Sequence, residues 1–190
     1  MFIRGNTDLL QLRYNSSYHS HGGETTNISS IVLNPYYNAE TRENDAALIR
    51  TESYLDRSLV ARFPCNENLH KGERLSVVGW GYRAQHSGAL AEHLRQASLH
   101  YADRDCAPFY ASQGVNVTSL MFCAGNIKIG GGGICTGDEG GAAMRNLTVQ
   151  GIASFNIGCG WQSFVSVFTR ITPEISDWIS VTTGLGCSDK

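Results

Sequence analysis

What most limits the fold of this chain is the lack of long helical periodicity. Outside one stretch near its end, the apolar residues come in short runs cut by Gly, Pro, Asn and Asp. Leu10, Leu12 and Tyr14 alternate with Gln11 and Arg13, a period-2 pattern that reads as a strand within residues 2–14. Residues 15–23 form a polar turn region, and a second strand over 29–33 stops at Asn34-Pro35. Residues 46–49 read as a short apolar strand, 75–80 as a strand ending at Gly79-Trp80-Gly81, and 94–101 as an imperfectly alternating one. Residues 106–111 read as one or two helical turns, 119–124 lead into the glycine tract 130–133, and 149–155 with 164–170 read as a strand pair. Many short strands with glycine-rich turns imply an all-β barrel or sandwich. The exception is the end. Thr172 suits a helix N-cap, Pro173 the first helical position, Glu174 the positive helix end, and Gly184 the stop. Ile175, Trp178 and Ile179 then share one face, which is expected to pack on the sheet.

At 190 residues the chain can bury a sizeable core as one or two small domains. A net charge of −2 with no basic block argues against a nucleic-acid partner, and no apolar run approaches membrane-span length. Arg4 and Asp8 interrupt any apolar core within residues 1–12, so this stretch does not read as a signal peptide. The cysteines, Cys65, Cys106, Cys123, Cys135, Cys159 and Cys187, contain no C-x-x-C pair, which argues against zinc. The glycine tract is not followed by Gly-Lys-Ser/Thr, so it is not a phosphate loop. No metal or cofactor is expected. Sequons at Asn15, Asn27, Asn116 and Asn146 point instead to a secreted glycoprotein. A secreted chain without a signal peptide is read here as a fragment or a truncated gene product.

The stretch with the most chemical content runs Cys135-Thr-Gly-Asp-Glu-Gly-Gly-Ala-Ala143. It resembles the active-site loop of trypsin-like serine proteases, in which a serine lies between Gly-Asp and Gly-Gly. Gly137, Asp138, Gly140 and Gly141 match that pattern, but Glu139 stands in the serine's place. A serine hydroxyl activated by histidine attacks a peptide carbonyl. A carboxylate is a poor nucleophile toward amides, has no further proton to lose, and opposes the oxyanion such a site must stabilise. Taken alone, the stretch is also compatible with a glycine-rich turn carrying an exposed Glu.

Further segments carry the resemblance along nearly the whole chain. Asn44-Asp45-Ala-Ala-Leu-Ile49 is similar to the segment holding the triad aspartate, and Leu75-Ser-Val-Val-Gly-Trp-Gly81 to the start of the second barrel. Met121-Phe-Cys-Ala-Gly125 resembles the segment before the active-site loop, and Gly151-Ile-Ala-Ser-Phe155 the substrate-backbone strand. Val167-Phe-Thr-Arg170 and Trp178-Ile179 resemble the last strand and helix. Arg13-Tyr-Asn15, His19-Ser20 and Gly22-Gly-Glu24 are similar to mite group 3 trypsin-like allergens. With the nucleophile lost, the chain also resembles the scabies mite inactivated serine protease paralogues, secreted pseudoproteases of which some interfere with host complement. The resemblance implies a trypsin-like double six-stranded β-barrel, its first barrel N-terminally truncated, with a C-terminal α-helix. Residues 1–62 would be the remnant of the first barrel, 63–171 the second barrel with the former active-site loop, 172–184 the helix and 185–190 a tail, together one peptidase S1-like domain.

The departures from the family pattern shape the functional expectation. The Ala-Ala-His-Cys segment that supplies the general base is absent, and His19, His21, His70, His86, His93 and His100 all lack that context. The family's activated N-terminus, which pairs with the aspartate at position 138, is missing, so Asp138 is expected to rise in pKa or reorganise. Gly133 falls at the floor of the specificity pocket, removing the carboxylate that selects Lys or Arg, while Asn156 and Ser166 replace wall glycines and narrow it. Gly137 remains at the oxyanion-donor position and Asp45 at the triad-acid position; the alternative is that they are only a glycine turn and a strand-end carboxylate. By position, the resemblance implies disulfides Cys106–Cys123 and Cys135–Cys159, replaces a third family pair by Leu75 and Arg145, and leaves Cys65 and Cys187 to pair with each other. Six cysteines by themselves allow 15 connectivities.

The expected protein is thus a catalytically inactive, secreted homologue that binds host proteins such as complement components. Its expected binding surface is the outer loops 83–93, 102–118 and 157–163, with Tyr110, Arg95 and Trp161 as exposed contact residues. The alternatives are an active serine endopeptidase and a non-functional truncated product.

Overall fold

The computed structural model describes residues 10–55, 60–66 and 69–188; the portion of the first expected strand before residue 10 lies outside them. Strands β1 (Gln11–Tyr14), β2 (Glu24–Leu33) and β3 (Ala47–Thr51) form an antiparallel sheet in the order β1-β2-β3. Strands β4 (Arg74–Gly79), β5 (Arg95–His100), β6 (Met121–Ala124), β7 (Ala142–Arg145), β8 (Thr148–Phe155) and β9 (Ser166–Arg170) form a second sheet in the order β5-β4-β7-β8-β9-β6. Its two edges meet where Tyr101 bridges Ala124. There the Ala102 amide donates to the Cys123 carbonyl and the Gly125 amide to the His100 carbonyl, each at 2.9 Å. The second sheet therefore closes on itself, which removes its free edges. Helix α1 (Ala107–Ala111) follows β5, and α2 (Pro173–Thr183) follows β9.

The sequence reading missed two features. β2 begins at Glu24 rather than near residue 29, because Glu24, Thr25, Thr26 and Asn27 lack apolar alternation but pair with β1 from Tyr14 to Gln11. β7 carries no β-branched or aromatic residue. It is a strand because it lies between β4 and β8, where Ala143 is fully buried against the barrel core.

The core forms two clusters separated by β6 and β9. Phe122, Ala124 and Phe168 point into the barrel with Leu75, Val77, Leu99 and Ile134. Met121, Cys123 and Val167 point to the other face and pack with Tyr110, Phe155 and Val165. Successive side chains on a strand face opposite ways, so a strand buried on both faces must be apolar throughout. That is why Met121-Phe-Cys-Ala124 shows no polar residue. Gly151 on β8 lies flat under the Phe122 ring, where a Cβ would overlap the ring. On β2 and β3, by contrast, Val32, Leu33 and Ile49 are exposed.

Arg170, at the end of β9, ties the barrel closure together. Its guanidinium donates to Asp103 Oδ1 at 2.8 Å, to the Tyr101 hydroxyl at 2.9 Å and to the Met121 carbonyl at 2.9 Å. It also lies 5.6 Å from the Phe122 ring centre. Burial pushes the Asp103 carboxyl up, but Arg170 and the Tyr101 hydroxyl outweigh it and hold the pKa below the ordinary value. A Cys65–Cys187 disulfide across 122 residues fastens the segment after α2 to residue 65, alongside Cys106–Cys123 and Cys135–Cys159. Leu75 is buried in the barrel core, and Arg145 pairs with Glu73 at 2.8 Å. Thr172 caps α2 by accepting from the Ile175 amide at 3.3 Å, and Gly184, at φ 72°, ends it. Among the described residues no helix is long and apolar enough to cross a membrane.

Two stability outcomes follow from this packing. Gly151→Ala should cost about 1–3 kcal/mol through forced overpacking, read as a lower Tm in thermal unfolding. Because the Asp103 pKa is depressed in the folded state, its stabilisation is present above the unfolded carboxylate pKa of about 4 and fades as pH falls through the lower folded value. Asp103→Asn should therefore lower Tm at neutral pH and make Tm fall less steeply below pH ~4; parallel acid limbs in the two proteins would contradict the network.

Candidate active site

The candidate site lies where the two sheets meet. Asp45 immediately precedes β3. Its Oδ2 accepts from the Ser154 hydroxyl on β8 at 2.7 Å, and its backbone carbonyl accepts from the Thr169 hydroxyl on β9 at 3.1 Å. One residue thus touches two strands of the barrel from the first sheet. Ser154 is a partner that the sequence reading did not identify; it lay within the quoted segment Gly151–Phe155 but carried no spacing signal of its own.

The 134–141 loop is held to the barrel by Asp138. Asp138 Oδ1 accepts from the Gly81 amide at 2.7 Å and Oδ2 from the Cys135 amide at 3.0 Å. A Cβ at Gly79 or Gly81 would overlap this carboxylate, so both glycines flanking Trp80 are required for its close approach. The place of the terminal cation implied by the family pattern is taken here by two backbone donors. The loop is further fixed by Gly140 donating to Ala153 and by Ala153 donating to Gly141, both at 2.8 Å.

Glu139 is the decisive residue. Its Oε2 accepts from the Gly137 amide at 2.8 Å. Gly137 adopts φ 96°, a left-handed conformation that glycine reaches without strain, and this turns its amide inward along the loop. The amide at the oxyanion-donor position is therefore occupied by the chain's own carboxylate. An amide so engaged is not free to stabilise the negative charge that develops in acyl transfer.

Gly133, Asn156 and Ser166, expected at a specificity pocket, lie close together. Ser166 Oγ accepts from the Ile134 amide at 2.9 Å and lies 2.9 Å from where a Cβ on Gly133 would be. Asn156 donates from Nδ2 to the Ile134 carbonyl at 3.2 Å and to the Gly158 carbonyl. These two side chains bridge the segments that would form the pocket walls. A cavity of about 300 Å³ borders the loop, lined by Val77, Gly79, Gly81, Gly133, Ile134 and Asp138, with Arg83 and Arg95 among its lining residues. Beside the cleft, the Arg42 guanidinium sits 4.8 Å from the centre of the Phe155 ring. Arg42 was not singled out in the sequence, because its placement depends on a left-handed turn at φ 61°.

Among the described residues no histidine is hydrogen-bonded to Asp45 or Glu139. His21 and His93 instead pack on Tyr18, with ring centres 4.2 and 4.6 Å away. Tyr110, expected as an exposed loop residue, is fully buried. Its hydroxyl donates to the Val165 carbonyl at 2.9 Å and accepts from the Ile157 amide at 3.2 Å. Burial pushes its pKa up to about 12. The reason is α1, whose single turn aims Tyr110 inward onto Phe155 and Phe164. Arg95 is exposed and Trp161 is 49% exposed, as contact residues would be. Asn15, Asn27, Asn116 and Asn146 are all exposed.

Comparison with known proteins gives a consistent result. The family profile described as Trypsin matches residues 7–179. The chain is 33% identical over 179 residues to Trypsin Tyr p 3.0101 of Tyrophagus putrescentiae, covering 90% of this chain and 61% of that protein. It is 32% identical over 176 residues to Trypsin Blo t 3 of Blomia tropicalis, covering 90% of this chain and 66% of that one. It is also 32% identical over 181 residues to Trypsin 5G1 of Aedes aegypti, with 93% and 66% covered. The chain thus spans roughly three fifths to two thirds of the length of these relatives.

The Glu139–Gly137 contact makes a local prediction. Glu139→Ala should accelerate hydrogen exchange of the Gly137 amide selectively, while changing overall stability by no more than about 1.5 kcal/mol, the range of one hydrogen bond. Unchanged exchange at Gly137, followed by amide NMR, would show that the carboxylate does not hold that donor in solution.

Proposed function

The chain belongs to the trypsin family of serine proteases, and from that premise we propose that it is a member without peptidase activity, secreted, whose role is to bind another protein. The observation that carries this reading is Glu139 occupying the Gly137 amide at 2.8 Å. A serine at that point would supply the nucleophile and leave the donor free for the oxyanion; the carboxylate supplies neither. The hydrogen bonds of Ser166 and Asn156 to Ile134 place two side chains where the family pattern has glycines, which narrows the place for a substrate side chain.

In this proposal Asp45, Gly137, Asp138 and Glu139 are vestigial positions, and Gly133, Asn156 and Ser166 a former specificity pocket. Residues 1–62 and 63–171 correspond to the two barrels of one domain. The three disulfides suit an oxidising compartment, and the exposed sequons Asn15, Asn27, Asn116 and Asn146 suit glycosylation there. The resemblance to inactivated mite paralogues makes host defence proteins, complement components among them, the proposed partners, held as by a decoy. The proposed contact surface is the outer loops, with Trp161 and Arg95 the residue types that anchor interfaces. That the named relatives are trypsins favours an active endopeptidase as the second reading; residue 139 is the specific point against it.

The expected outcome is no turnover of Arg, Lys or aromatic peptide substrates. In a related triad, loss of either nucleophile or base alone lowers kcat on the order of a million-fold. Glu139→Ser alone should leave this chain inactive, because no histidine among the described residues is hydrogen-bonded to Asp45. Serine-directed inhibitor-sensitive turnover in either protein would overturn the inactive assignment. For binding, a complement partner captured by the glycosylated protein should lose affinity with Trp161→Ala and keep it with Glu139→Ala; the reverse pattern would place binding in the cleft.

A further inference from the structure

We propose that a groove between α2 and the segment 35–44 is a docking site for a basic side chain, arginine or lysine, presented by a partner protein. The site is separate from the former active site and from the loops discussed above, and it stands whether or not the chain cleaves peptides.

The groove follows from how α2 is built. Ile175 and Ser176 are buried, and Ser176 donates to the Pro64 carbonyl at 2.6 Å, which fixes the rotation of the helix on the barrel. Residues spaced at i, i+3, i+4 and i+7 share one helical face. That spacing brings Glu174, Asp177, Trp178 and Val181 into one stripe, which lines the groove opposite Tyr36 and Leu120. The space measures about 660 Å³. Tyr36 is 73% and Val181 87% exposed, so the apolar walls are open to a ligand. The expectation that Trp178 packs on the barrel with Ile175 is corrected here: Trp178 is half-buried and forms part of this open wall.

The charge pattern selects the occupant. Glu174 and Asp177 are the charged residues lining the groove, and no Lys or Arg among the described residues lines it. Glu174 at the first turn is favoured by the helix dipole, and the Thr172 hydroxyl holds its carboxyl below the ordinary pKa. Asp177 follows one turn further on the same face of the groove. A cation placed between the two carboxylates is attracted by both. An apolar peptide would bury the walls but leave the two carboxylates without partners, and an acidic one would be repelled. Arginine and lysine match both halves of the groove. Their aliphatic stems lie along Leu120 and Val181, while the charged head meets the two carboxylates and the faces of Tyr36 and Trp178.

The test uses a fluorescently labelled hexa-arginine peptide, acetylated and amidated, with a hexa-citrulline peptide of the same length as the neutral control. Anisotropy titrations at low and high salt would compare the wild-type chain with Glu174→Gln, Asp177→Asn, Tyr36→Ala and, on a different surface, Glu92→Gln. Each carboxylate neutralised in the groove should weaken hexa-arginine binding by roughly fivefold, the upper range for an exposed ion pair. Tyr36→Ala should weaken it too, and binding should fall with salt. Glu92→Gln should leave it unchanged. An equal loss with Glu92→Gln would reveal unspecific attraction to an acidic protein and overturn the site. So would equal affinity for hexa-citrulline, or binding indifferent to Asp177→Asn in a variant of unchanged Tm.

Discussion

The carboxylate of Asp138 is the fixed point of this structure's most unusual region. It accepts from Gly81 at the end of β4 and from Cys135 at the start of the loop, so it joins two segments more than fifty residues apart in the chain. A carboxylate satisfied by backbone amides is stable without a neighbouring cation. It also leaves the chain on either side little freedom. Gly140 and Gly141 are pinned to Ala153 on β8, and Gly137 must turn through positive φ to connect. Within this frame the Gly137 amide lies within reach of the side chain at position 139, and a Glu is long enough to meet it. The self-occupied donor is therefore a consequence of a loop that Asp138 holds in shape, rather than of a loop that has collapsed.

The sequence made legible those parts of the fold that depend on neighbours along the chain. The α2 cap at Thr172, its proline start and its glycine stop are local chemistry and stand where the pattern placed them. The strand β4 and its end at Gly79-Trp80-Gly81 were legible for the same reason. What escaped was decided by tertiary context. β7 is a strand because β4 and β8 flank it, and β2 extends back to Glu24 because β1 offers it a ladder. Tyr110 has the composition of a contact residue, yet its single helical turn directs it into a buried aromatic group. At the candidate site, Glu139, Asn156 and Ser166 could be named from their positions in a motif. Ser154 and Arg42 could not, since their relevance arises only from the approach of other elements.

Several positions of the candidate site carry structural duties independent of chemistry. Asp45 joins the first sheet to β8 through Ser154 and to β9 through Thr169. Removing its carboxylate would leave the Ser154 hydroxyl in a largely buried setting without its acceptor, a cost of roughly 1–3 kcal/mol. Asp138 organises the loop, and Gly79 and Gly81 leave room for it. Ser166 and Asn156 contribute too, through hydrogen bonds that tie Ile134 to the start of β9 and to the end of β8. Position 139 is different. A serine there would have only its chemistry to justify it, whereas the glutamate closes a hydrogen bond that the fold otherwise leaves to water or substrate. Glu139 adds a contact to the scaffold, and on the inactive reading proposed above a chain of this fold gives up its nucleophile while keeping the loop that Asp138 holds in shape.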